Sequence, residues 1–297
     1  MADSARWERF PLRDDDIVIA TPSKCGTTWT QQIVGMLVLG RTELGPLSGL
    51  SPWLDMQIES EADVFARLAA QTHRRWIKTH TPLDGLPVHP GVTFLAVARH
   101  PLDVAMSDRD HMQNMDRERT IDLRSVAVGP PVHGPGAGGS ASGEGPAEHL
   151  RWFIDNDEQP TGSGPNGLAD YCQQVGTFWE RKDEPNVHLF HYQDLWDDLE
   201  GEMRRMAQAI GVEVSDALWP ELVAAATLDA MRANASTIAP NANLGIWRDD
   251  TSFFKQGGRR DWASLLTAAD IAHFHARLES LAGPATDWIL EGRRCLT

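Results

Sequence analysis

The chain has 297 residues and a net charge of −15 at neutral pH, which argues against nonspecific binding to nucleic acid or anionic membranes. A local cluster of cations and backbone N–H groups could still hold a small anion against that distant field. A hydrophobic fraction of 41% with 23% charged residues is ordinary globular composition, enough to bury one large core without cross-links.

In chain order, the first segment, MADSARWERFPLRDDD, is charged where a signal peptide would be apolar. No apolar stretch approaches the roughly 18 residues of a membrane span, so a cytoplasmic setting is expected. Ile17 to Ala20 is a short apolar run that predicts a buried parallel strand. A bend of small residues, TPSKCGTTW, follows, and then Trp29, Ile33, Leu37 and Val38 recur at helical spacing. Arg75 to His80, Val92 to Ala98 and Val187 to Tyr192 predict three more strands. Helical patterns follow Asp194 and Thr267. The segment from about 129 to 148 is too rich in Gly and Pro to pack. It is either a cover over a site or a surface insertion, and Pro160 to Gly167 is a second soft stretch.

Strands alternating with helices imply a single α/β domain over 1–297, with a central, mostly parallel sheet flanked by helices. Ligands of such sheets sit beyond the carboxyl ends of the strands. Three runs end there in cationic or titratable residues: Lys78 and His80, Arg99 and His100, and Gln193-Asp194. The cysteines, Cys25, Cys172 and Cys295, contain no CxxC pair, so neither a disulfide framework nor a metal site is expected.

The bend Ser23-Lys24-Cys25-Gly26-Thr27-Thr28-Trp29 lies between a strand and a helix. A helix N-terminus presents free N–H groups to phosphate. Gly26 allows close backbone approach, Thr27 and Thr28 add hydroxyl donors, and Lys24 adds a point charge. The G-x-x-x-x-G-K-[ST] signature of metal-dependent nucleotide triphosphatases is absent. Arg99 ends a strand with a guanidinium fork suited to phosphate, Pro101 can open a helix, and Ser107 would face the same ligand from that helix's second turn.

These segments resemble the cytosolic-type sulfotransferases. SKCGTTW is similar to that family's PKSGTTW loop, with Ser23 for proline and Cys25 for serine; the cysteine's backbone N–H is expected to keep the cradle intact. VARHPLDVAMSDRDHM is similar to VARNPKDVAVSYYHF, and WIKTHTPLDGLP to the KTHLP stretch. SFFKQGGRRDWASLLT is similar to FMRKGxxGDWKxxFT, with Phe253, Gly257, Asp261, Trp262 and Thr267 in place. Lys255 and Gln256 replace an arginine and a lysine, and Arg259 or Arg260 is a candidate to compensate.

The resemblance implies a P-loop-like fold and 3′-phosphoadenosine 5′-phosphosulfate (PAPS) as sulfuryl donor, with 3′-phosphoadenosine 5′-phosphate (PAP) as product. It implies a 5′-phosphate site at Lys24, Cys25, Gly26, Thr27 and Thr28, and a 3′-phosphate site at Arg99, Ser107, Phe253, Phe254, Lys255, Gln256 and Gly257. Trp29 and Tyr192 would hold the adenine, and Thr227 and Met231 would be further cofactor contacts. His80 would be the base, with Lys24 and Lys78 opposing the charge of an in-line transfer. A small-molecule acceptor would meet Trp53, His111 and Met112. Ala263, Thr267, Ala268 and Ala272 stand where the family's KxxxTVxxxE dimer pattern would be, leaving monomer and homodimer both open. A nucleotide-dependent small-molecule kinase and a noncatalytic nucleotide-binding protein of the same fold are the alternatives.

Overall fold

Four apolar runs form the strands β1 (Ile17–Ala20), β2 (Trp76–Thr79), β3 (Thr93–Ala98) and β4 (Val187–His191). The computed structural model describes residues 2–129, 145–158, 166–254 and 257–295, with side chains through 293. The strands pair in the order β2-β1-β3-β4, every pair parallel. Ile17 aligns with Trp76 on one side and Thr93 on the other, and Phe94 with Val187. Both faces of this sheet are covered. Val18, Ala20, Ile77, Phe94 and Ala96 enter one core, while Ile17, Ile19, Trp76, Leu95 and Val97 enter the other. Burial on two sides is why the runs are continuously apolar.

The helices that matter for the site are α1 (Thr27–Leu39), α2 (Pro101–Asn114), α3 (Leu168–Trp179), α4 (Tyr192–Asp197), α5 (Leu199–Ala209) and α6 (Ala268–Ala282). Left-handed glycines bound α1, Gly26 before it and Gly40 after it, and Pro101 opens α2. At the opposite end of the sheet, Arg75 Nε donates to Asp16 Oδ1 at 2.7 Å and a second guanidinium nitrogen donates to Oδ2. This buried, two-pronged pair ties the start of β2 to the start of β1.

The strands are shorter than the sequence runs. Arg75, His80 and Val92 fall outside them, and Tyr192 opens α4 instead of closing β4. His191 causes the switch, because its Nδ1 accepts from Gln193 N at 3.2 Å and caps the helix. The helical pattern after Asp194 is broken at Asp198, whose carboxylate accepts from Gly201 N at 3.0 Å and starts α5. Of the Gly/Pro-rich segment, 130–144 lies outside the described residues, as does 160–165 of the second soft stretch. The first begins where the helix Arg117–Val128 ends, and Pro146 already starts another helix.

From β1 the chain goes to β2 on one side, then returns past β1 to β3 on the other. That reversal leaves a crevice beyond the carboxyl ends of β1 and β3. The turns after β1, β2, β3 and β4 all converge on it. Among the described residues no helix is long and apolar enough to cross a membrane.

Candidate active site

A cavity of about 240 Å³ opens at those strand ends. Its floor is the bend after β1. Lys24 (φ 69°) and Gly26 (φ 91°) both adopt left-handed backbone, which turns the chain sharply into α1. A Cβ on Gly26 would lie 2.9 Å from the Tyr192 ring, so glycine is required by conformation and by contact. No side chain caps α1, and the N–H groups of its first turn are available to an anion. The Thr27 hydroxyl is hydrogen-bonded to that of Thr21, whereas that of Thr28 has no protein partner among the described residues. Cys25 departs from expectation. Its thiol is buried in the core and pushed up to about 12 by desolvation, and its N–H points back to Pro22 O at 3.4 Å. It shapes the bend without facing the cavity.

His80 follows β2 on the cavity wall. Its Nδ1 lies 2.7 Å from the carbonyl oxygen of Thr21. A carbonyl can only accept, so Nδ1 carries the hydrogen and Nε2 is the basic nitrogen. The ring stands edge-on to Trp53, centroids 4.6 Å apart, and the His80 carbonyl accepts from Gln174 Nε2 on α3 at 2.6 Å. Burial, then Lys78, push its pKa down to about 3, so the ring is neutral at physiological pH. Lys78, pointing from β2, sits 4.2 Å over the Trp53 ring. Desolvation, with Lys24 adding repulsion, lowers it to about 7. Lys24 lies 5.0 Å over Phe253 and is lowered by burial to about 8. An anion bound beside the two lysines would favour their charged forms.

Arg99, just past β3, is held by carbonyls, that of Lys24 at 3.3 Å and that of Gly258 at 2.9 Å. Its guanidinium lies 4.0 Å over Tyr192. The fork therefore touches the lysine-bearing bend directly, and its Nε is buried without a hydrogen-bond partner. Ser107 on α2 faces the same cavity, and with Lys24 and Arg260 it also lines a small polar chamber beside it. Arg260 is paired there with Asp110, whereas Arg259 reaches outward to Glu291 at 3.8 Å. Trp29, Tyr192, Met231, Phe253 and Phe254 line the wall. Trp29 packs edge-on to Tyr192 at 5.4 Å, and its Nε1 donates to Ala226 O at 2.8 Å.

Trp53, His111 and Met112 are on the wall as well, while His89, His100 and His188 are not among its residues. Two expected contacts stand apart. Thr227 is exposed, with its hydroxyl donating to Ala224 O at 2.9 Å and accepting from Ala230 N at 3.3 Å, so it caps a helix. Gly257 lies under the Trp196 ring, off the cavity wall. Lys255 and Gln256 lie outside the described residues. Asp108, Trp196 and Trp247 line the cavity and were not anticipated. Asp108 carries a usable signal, since it sits one residue past Ser107 and three before His111 on a helix already assigned to the site.

The sulfotransferase domain family matches residues 14–284. A glycolipid sulfotransferase of Mycobacterium bovis (strain BCG / Pasteur 1173P2) is 42% identical over 307 residues, spanning 99% of this chain and 93% of its own. Sulfotransferase 1B1 of Canis lupus familiaris is 24% identical over 280 residues, 90% of this chain and 83% of its own. Among solved structures, a retinol dehydratase in complex with androsterone and the inactive cofactor PAP shares the fold with a TM-score of 0.71. It is 19% identical and covers 95% of this chain and 84% of its own. A mouse sulfotransferase complexed with PAP gives 0.69 at 18% identity, over 98% and 91%. With a domain match from residue 14 to 284 and 42% identity along almost the full length of a known sulfotransferase, the chain belongs to the sulfotransferase family.

Proposed function

We propose that this sulfotransferase moves the sulfuryl group of PAPS onto a hydroxyl of a glycolipid-like acceptor, in line, with His80 as base. Family membership sets aside the kinase and noncatalytic alternatives. The observation that supports the reading is the hydrogen bond from His80 Nδ1 to Thr21 O, which leaves Nε2 as the ring nitrogen able to accept a proton. The acceptor class rests on the 42% identical glycolipid sulfotransferase and on the mixed aromatic and polar lining of the cavity.

PAPS, when bound, supplies the electrophilic sulfur and a bisphosphate leaving group. The bend and the first turn of α1 would hold its 5′-phosphate, and Arg99 with Ser107 the 3′-phosphate. Trp29 and Tyr192 offer flat apolar surface for the adenine. His80 Nε2 takes the acceptor's hydroxyl proton. Its pKa is low because burial, and then the charges of Lys78 and Lys24, oppose another positive charge. An anion between those lysines offsets them and makes imidazolium formation more favourable. Lys78 faces charge on the transferring group, and Lys24 the charge growing on the departing oxygen. Positioning and fixed charge supply the acceleration.

Sulfur-35 transfer from labelled PAPS to octyl glucoside and to a lipid extract tests the reaction. Wild-type protein should label a lipid-soluble acceptor, and His80→Ala should lower the rate by about a hundredfold or more while still binding PAP in calorimetry. A wild-type protein that binds PAP and labels nothing would refute the reaction. A near-normal His80→Ala rate would remove His80 as base.

A further inference from the structure

The face of α2 turned to the cavity carries Asp108, His111 and Met112, with Met115 one step beyond the helix. Asp108 is the one carboxylate among the described residues of the cavity wall. It makes no hydrogen bond or ion pair with any described residue. Burial pushes it up to about 6, and the cations bearing on it are Lys24 and Arg117. Asp108 is half-buried, and its carboxyl lines the cavity without a protein partner, so a donor group of a ligand there can pair with it. One helical turn away, the Nδ1 of His111 is buried without a hydrogen-bond partner. Its ring packs against Trp247, centroids 4.9 Å apart, and Trp247 against Phe253 at 5.1 Å.

Aromatic ring faces beside an unpaired hydrogen-bond acceptor are the chemistry that holds a sugar ring. Carbon–hydrogen faces lie on the aromatics and hydroxyls donate to the carboxylate. We infer that Asp108 is a specificity residue that receives a hydroxyl of a polyhydroxylated head group, neighbouring the hydroxyl presented to His80. The inference rests on the sulfuryl-transfer reading above and extends it from an acceptor class to a residue. An Asp108 hydrogen bond made only by polyols separates them from acceptors bearing a single hydroxyl.

The test compares kcat/KM for octyl glucoside, 2-naphthol and tyramine in wild type, Asp108→Asn and Asp108→Ser, with PAP calorimetry confirming that each variant is folded. The glucoside-to-naphthol ratio should fall about ten- to a hundredfold in both variants, the worth of one charge-assisted hydrogen bond, with the change mainly in the glucoside KM. An unchanged ratio overturns the inference, as does wild-type turnover of naphthol without glucoside. Selective loss of tyramine turnover would assign the carboxylate to a cation and overturn it too. If wild type transfers to none of the three, the sulfuryl-transfer reading itself has failed.

Discussion

Lys24 and Lys78 have pKa values lowered to about 8 and about 7 because burial strips their water, with Arg99 repelling Lys24 and Lys24 repelling Lys78. A bound bisphosphate supplies the missing counter-charge and raises both. Binding of PAP near pH 8 should therefore take up protons, about 1 to 1.5 in total, since Lys78 is largely neutral and Lys24 about half neutral in the free protein and both are charged in the complex. Calorimetry in phosphate and Tris buffers reads this from the difference in apparent enthalpy. Proton release, or no exchange, would mean that the anion avoids these lysines. Gly26 makes a second residue-scale case. With φ at 91° and the Tyr192 ring 2.9 Å from where a Cβ would stand, Gly26→Ala must strain the bend or displace Tyr192. Urea unfolding should show a loss of about 1–3 kcal/mol, and PAP should bind more weakly.

At the scale of elements, the end of β2 is positioned from beneath by Asp55. Its Oδ2 accepts from Thr79 Oγ1 at 2.5 Å and Thr81 Oγ1 at 2.6 Å, the residues flanking His80, and from Trp7 Nε1 at 3.0 Å. One carboxylate thus fixes the turn that aims the imidazole and ties it to the short helix Ala5–Arg9. Asp55→Ala leaves three buried donors unpaired. It should lower kcat ten- to a hundredfold through misplacement of His80, with PAP affinity little changed. An equal loss in PAP affinity would point to collapse of the whole cavity instead. The element pattern also explains how the sequence could be read. Strands buried on both faces are continuous apolar runs, so each could be located to within a residue or two. Helix starts were harder, because His191 and Asp198 set them by side-chain capping that periodicity does not register.

At the scale of the molecule, a chain of net charge −15 concentrates Lys24, Lys78 and Arg99 at one end of a four-stranded sheet. The sequence by itself determined the α/β class, the phosphate-type bend and the strand-end residues, because these depend on local spacing and on the rule that parallel strands deliver their ends to one edge. Tertiary structure alone decided the rest. Cys25 turns its thiol into the core beside Tyr171, about 150 residues further along the chain, and Thr227 caps a helix that packing leaves turned to solvent. Arg99 meets the lysine bend directly, since β1 and β3 are neighbours in the sheet although 75 residues separate Lys24 from Arg99. Asp108 had a signal in its place between Ser107 and His111, but its sharing of a wall with Trp247, more than a hundred residues away, was set by packing between elements that no local pattern relates.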